Sequence, residues 1–169
     1  VGTSALDVVT TGDGNVAVGH NVLHGLTTGT RNIAIGLGAL DVPDTENDNL
    51  AIGYEALGGS ISGGEKNVAI GNYSMDALTA GNNNIGLGYA SLGAITSGGD
   101  NVAIGNYSMD ALTTANNNTA IGSNSLSANT SGYDNVAIGS GALLANTTGI
   151  NNVAIGRQAL TANTEGGYH

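Results

Sequence analysis

Catalysis in this 169-residue chain would have to be built from three histidines, thirteen carboxylates and a large stock of hydroxyls, since there is no cysteine. His20 and His24 lie four apart, but no third ligand and no helix accompanies them, so exposed or stacked imidazoles are the expectation rather than a metal site. No serine has a histidine and an acid arranged to activate it, and the Ser and Thr residues recur at turn positions. A run of acids, Asp41, Asp44, Glu46 and Asp48, with Glu55 beyond it, surrounds the only proline, Pro43. Hard cations take several carboxylate oxygens, which makes these four weak metal candidates. The calcium-loop spacing D-x-[DN]-x-[DN]-G is absent, so a solvated acidic loop without metal is expected. Tyr54, Tyr73, Tyr89, Tyr107 and Tyr133 could stack on sugar rings if they point outward. "GDG" at Gly12–Gly14 and "GGD" at Gly98–Asp100 read as turns, because neither a lysine nor a helix follows as a phosphate loop requires. The sequons at Asn129 and Asn146 are by-products of the repeated words "ANTS" and "ANTT". The reading is of a protein with no catalytic residue and no cofactor.

Charge narrows the partners. The formal net charge is −10, with only Arg31, Lys66 and Arg157 as strong cations. Phosphate backbones and anionic membrane surfaces both demand clustered Lys and Arg, so neither nucleic acid nor a membrane is an expected contact. Tyrosine is the only aromatic, six times, against 29 glycines. Such small side chains favour thin packing over an ordinary globular core. The chain opens inside a repeat, with neither a basic and apolar leader nor an apolar run near the length of a membrane span, and it reads as a slice of something longer.

What positions these residues is a repeat. "NVAIGNYSMDALT" occurs at Asn67–Thr79 and again at Asn101–Thr113. An asparagine opens the apolar word at Asn15, Asn32, Asn49, Asn67, Asn84, Asn101, Asn118, Asn135 and Asn152, and these mark the starts of successive coils. Four residues later comes Gly, at Gly19, Gly36, Gly53, Gly71, Gly88, Gly105, Gly122, Gly139 and Gly156, with Gly2 in the same register. Four further on stands Leu or Met, from Leu6 to Leu160, and then a Thr column that includes Thr10, Thr27, Thr79, Thr96, Thr113, Thr130, Thr147 and Thr164. Within "NVAIG" the β-branched residues alternate with small ones, which predicts one short strand per unit. The remaining dozen residues, rich in Gly and Thr-Thr-Gly turns, leave no room for a useful helix.

The expected fold is therefore all-β: a single parallel β-solenoid over residues 1–169, of about ten 17-residue coils and roughly 45–50 Å long. Stacking turns each repeated position into a column. The Asn column becomes a hydrogen-bonded ladder, and the Gly column marks positive φ or close approach. Carboxylates follow the Leu or Met on alternate coils only, at Asp7, Asp41, Asp76 and Asp110, which separates like charges by about 10 Å, near one Debye length. Three residues after the Leu or Met, Leu26, Pro43, Ile61, Leu78, Ile95 and Leu112 give way to Asn129, Asn146 and Asn163, so the rod is expected to have two sections with a second short Asn ladder. Each coil brings only about four larger apolar side chains, such as Val68, Ile70, Met75 and Leu78, taken as its core. The Ala or Gly face of the strand is then expected to be covered by neighbouring chains.

"NVAIG" words followed by a small residue and Leu resemble the head repeats of trimeric autotransporter adhesins, and the 17-residue "NVAIGxxALxANTTG" form is similar to arrays in phage tail fibres and other bacterial surface fibres. The resemblance covers essentially the whole chain. It implies a left-handed β-roll, three chains packed about an axis, and an extracellular place on a cell surface or a virion tail fibre. Spacing or presenting regions that bind a host receptor, a surface glycan or a protein, is the implied role. Two other functions fit solenoids: an ice-binding rod using the Thr array, and a tailspike-like β-helix that binds or degrades polysaccharide.

Overall fold

Each "NVAIG" word becomes a three-residue strand, and glycine ends it. In the computed structural model, which describes residues 1–169, the strands are β1 (Val16–Val18), β2 (Ile33–Ile35), β3 (Leu50–Ile52), β4 (Val68–Ile70), β5 (Ile85–Leu87), β6 (Val102–Ile104), β7 (Thr119–Ile121), β8 (Val136–Ile138) and β9 (Val153–Ile155). They pair in chain order in one nine-stranded sheet, all parallel, and no helix forms. Register follows the repeat: Val102 of β6 lies opposite Thr119 of β7, and Ala103 opposite Ala120. The one 18-residue step brings Leu50 beside Val68 without breaking the pairing. The chain is thus a parallel β-solenoid of about eight turns. Residues before Asn15 add turns rather than a tenth strand, with the Val1 carbonyl accepting the Gly19 N–H at 2.8 Å.

The strand sides are the reverse of the expected arrangement. The central residue of every strand, Ala or Gly86, points into the coil and is buried, while the flanking Val, Ile and Leu point out. The interior is too narrow for β-branched residues there. A Cβ on Gly86 would already lie 2.7 Å from Ser74 Oγ and 3.1 Å from Met75 Cε. The larger core groups come instead from two turn columns. One is the Leu or Met column, with Leu23, Leu40, Leu57, Met75, Leu92, Met109, Leu126 and Leu143 fully buried; the other holds Leu26, Ile61, Leu78, Ile95 and Leu112.

The Leu and Met column has an unexpected backbone. All ten members, from Leu6 to Leu160, adopt φ between 48° and 56°, the left-handed region. This costs roughly 1–2 kcal/mol per residue for an L-amino acid. Full burial of a leucine or methionine stabilises by about 1.5–3 kcal/mol, so the turn is held by the side chain it buries. A β-branched residue would add strain at this φ, which is why Val and Ile, common elsewhere, never stand in the column. Replacing Met109 by Leu should therefore be nearly neutral in thermal melts. Met109→Ile should lower stability by a further ~1–2 kcal/mol, despite similar volume.

Candidate functional site

The Asn column is a buried ladder. Asn101 donates its backbone N–H and its Nδ2 to Asn84 Oδ1 at 3.2 and 3.1 Å, and its second Nδ2 hydrogen goes to the Ala115 carbonyl at 2.9 Å. Its own Oδ1 accepts the same pair of donors from Asn118 at 3.0 and 3.3 Å. One side-chain amide so satisfies a corner of three successive coils, and no shorter or apolar side chain offers both functions. The pattern runs from Asn15 to Asn152, where the His169 N–H takes the next position at 3.3 Å from Asn152 Oδ1. The second ladder is more local. Asn129 and Asn146 are buried, and their Nδ2 groups donate to Gly132 and Gly149 within the same turn, while Asn163 reaches Asn146 Oδ1 at 3.1 Å.

Four serines form a feature that the repeat conceals. Ser74, Ser91, Ser108 and Ser125 are fully buried in the position that other coils fill with Ala or Val22. They pair across coils, with Oγ to Oγ distances of 3.0 Å for Ser74 and Ser91 and 3.1 Å for Ser108 and Ser125. A backbone carbonyl also lies within reach of each, Gly122 at 2.7 Å from Ser125 and Ala120 at 3.2 Å from Ser108, so within a pair one hydroxyl donates to its carbonyl and the other to its partner. They are structural hydroxyls with no histidine at hand. The Thr column is likewise committed, since Thr79, Thr96, Thr113, Thr130 and Thr147 donate Oγ1 to the carbonyl of the Thr one coil on.

The acidic loop disperses to separate partners. Asp48 holds Arg31 through both guanidinium bonds, at 2.6 and 2.8 Å, which draws its carboxyl below the usual range. Asp44 accepts from the Thr27 hydroxyl. Glu46 is buried where most coils have the Gly of Thr-Thr-Gly, and its carboxylate accepts the N–H groups of Asp44, Thr45 and Gly63 at 2.7, 3.0 and 2.8 Å. The residue weighed as a metal ligand thus ties the turn that carries Pro43 to the next coil, which holds the inserted residue. Asp41 belongs to the alternating column, where His24 stands between two carboxylates: Nε2 is 3.5 Å from Asp7 and Nδ1 is 3.8 Å from Asp41. Burial pushes the Asp41, Asp76 and Asp110 carboxyls up from the ordinary value, opposed by His24 at Asp41 and by backbone hydrogen bonding at the other two.

Two outward surfaces remain. The first is the sheet itself. Every outward strand position except Thr119 is Val, Ile or Leu, in two columns that run the length of the rod. Exposure ranges from 37% at Ile104 and Ile121 to 69% at Ile155 among the most open members. Contiguous apolar surface on this scale marks an interaction face. The second is a tyrosine ladder at the corner that follows the sheet. Tyr54, Tyr73, Tyr89 and Tyr107 stack edge to face on successive coils, with ring centroids 5.1, 5.8 and 5.3 Å apart. Tyr133 stands outside it. The Glu55 carboxylate beside Tyr54, together with the Tyr73 hydroxyl, pushes the Tyr54 phenol up to about 12.

No known protein family, curated protein or solved structure matches the chain.

Proposed function

We propose that the chain is a structural and adhesive fibre segment: a left-handed β-roll of ten repeat registers that assembles as a homotrimer and spaces or presents receptor-binding regions on a bacterial surface or phage tail. The observation that carries this reading is the continuous Val, Ile and Leu face on nine strands, which water would otherwise solvate along the whole rod. A rod of identical chains covers such faces most economically by packing each against its neighbours about the long axis, because all strands share one direction and one register. The resemblance of the "NVAIG" repeat to trimeric adhesin heads and tail-fibre arrays supplies the number three and the handedness. In this reading the segment is extracellular, catalyses nothing and holds no cofactor. The Thr column serves coil-to-coil bonding rather than ice, since its hydroxyl hydrogens are already donated to backbone carbonyls.

Sedimentation equilibrium tests it. The chain should sediment at three times its 16.5 kDa mass. Ile104→Glu, placed on the outward face of β6, should leave the coil intact but reduce the mass to that of one chain, because a carboxylate buried between copies has no partner. A wild-type chain that stays monomeric at high concentration contradicts the proposal.

A further inference from the structure

The tyrosine ladder is not needed to hold the solenoid together. Coils on either side of it place Leu37, His20, Ser123 and Ser140 directly after the glycine, and those coils pair with the same register and spacing. Yet four of the chain's six aromatic residues gather on four consecutive coils at one corner. Their placement needs two different backbone solutions in alternation. Tyr54 and Tyr89 directly follow glycine, and their N–H groups are fixed by Asn72 Oδ1 and Asn106 Oδ1, each at 3.0 Å. Tyr73 and Tyr107 come one residue later and sit at φ of 59° and 55°, a region that a bulky aromatic residue seldom enters. This φ belongs to the turn of every coil, at Asn21, Glu55, Ala90 and Asn124 as well, so the repeat itself fixes where the Tyr73 and Tyr107 side chains leave the backbone.

The result is a pre-set array. Successive rings are turned by 86°, 77° and 64°, so each ring meets its neighbour edge to face and the four hold one another in place. Tyr54, Tyr89 and Tyr107 remain about 40% exposed. Charge limits what can lie on them: Glu55 adjoins the ladder and acts on both Asp41 and Asp76, so an acidic polymer is repelled. Shape limits it too. The surface has no pocket, whereas a proline-rich peptide docks by seating its rings in grooves between aromatic side chains. An open ridge of rings suits a ligand that offers flat C–H faces at regular intervals with hydroxyl groups around them, as an extended chain of pyranose sugars does.

We propose that Tyr54, Tyr73, Tyr89 and Tyr107 form a binding ridge for an extended polysaccharide of uncharged sugars, with the rings stacking on sugar faces and the Tyr54 hydroxyl and Glu55 meeting sugar hydroxyls. This rests on the fibre reading, because a rod displayed outside the cell is what meets such a polymer.

Native affinity electrophoresis of the full chain through hydroxyethylcellulose, an uncharged β-1,4-linked glucan, tests it, with polygalacturonate as the acidic counterpart. The wild-type chain should be retarded by the first and not by the second. The Tyr54→Ala/Tyr89→Ala double variant should bind at least tenfold more weakly, while Tyr133→Ala, outside the ladder, binds as wild type. The melting transition of each variant, read alongside, shows that the coils are still folded, and Tyr89→Phe serves as a milder variant should the double one unfold; it should retain most of the retardation. Absence of wild-type retardation, equal retardation of the folded ladder variant, or equal binding to polygalacturonate would each overturn the ridge. Displacement of the glucan by a proline-rich peptide would also overturn it, in favour of peptide docking. Oligomeric mass is measured separately, so a monomer that still binds glucan contradicts the fibre reading and leaves the ridge standing.

Discussion

Asn101→Leu is expected to lower the stability of the array by roughly 2–5 kcal/mol, several times the effect of Ser97→Leu one coil earlier on the exposed corner. The leucine has the branching and heavy-atom count of the amide, so no cavity opens at the site. The loss comes from hydrogen bonding. The backbone N–H of Asn118 loses its acceptor, Asn101 Oδ1 at 3.0 Å, and the Ala115 carbonyl loses the donor that served it at 2.9 Å. Both groups lie at a fully buried corner where water cannot replace the partner, and each orphaned group costs about 1–3 kcal/mol. Ser97, by contrast, is exposed, lies outside the left-handed region and makes no side-chain hydrogen bond. Urea denaturation followed by circular dichroism compares the two variants. A shared midpoint would show that the ladder contributes no more than surface contacts.

Gly88→Ala should be worse still, above about 4 kcal/mol or enough to split the transition in two. Gly88 has φ of +140°, a region open essentially to glycine alone. An added Cβ would lie 2.6 Å from the backbone carbon and oxygen of Gly105 on the next coil and 2.9 Å from the Asn106 nitrogen. These are backbone atoms, so no side chain can turn aside to relieve the overlap. The two coils would have to separate, and strands β5 and β6 would lose their pairing at mid-rod. Because each coil touches only its neighbours, the rod can fail at one junction while the segments on either side remain folded. Two unfolding steps, or expression only as insoluble protein, is the expected observation. A single transition at the wild-type temperature would contradict the close approach.

Periodicity made the solenoid legible from sequence because each column repeats one chemical demand at the same place. Asn could be assigned to a ladder and Gly to close approach from their side chains alone. The switch from Leu112 to Asn129 and Asn146 was visible for the same reason, and both kinds of residue are buried as that column required. Sidedness was not legible. Alternation in "VAI" says that Val and Ile share a face but not which face is the inside, and apolar character suggested the wrong one. The decision rests on the width of the coil, set by Leu and Met on turns that sequence patterns read as loops. A sign of it was present in Gly86, the one glycine among the strand centres, standing on the coil whose neighbour carries Met75. The absence of Val and Ile from the Leu and Met column, across all ten members, was a second sign, since it reports a left-handed backbone. Glu46 looked like part of an acid cluster because its carboxylate count was visible and its three backbone donors were not.

The central claim is that alanine faces into the coil while the flanking aliphatic residues face other copies of the chain. Since the protein has no cysteine, single cysteines at Ala103 and Ile104 report it directly through the rate of reaction with a soluble thiol reagent. Cys at 103 should be unreactive in both the native assembly and the dissociated folded chain made with Ile70→Glu. Cys at 104 should be protected in the assembly and reactive in the dissociated chain. Fast labelling at 103 with protection at 104 in the dissociated chain would reverse the sheet, and equal labelling at 104 in both forms would show that nothing covers its face.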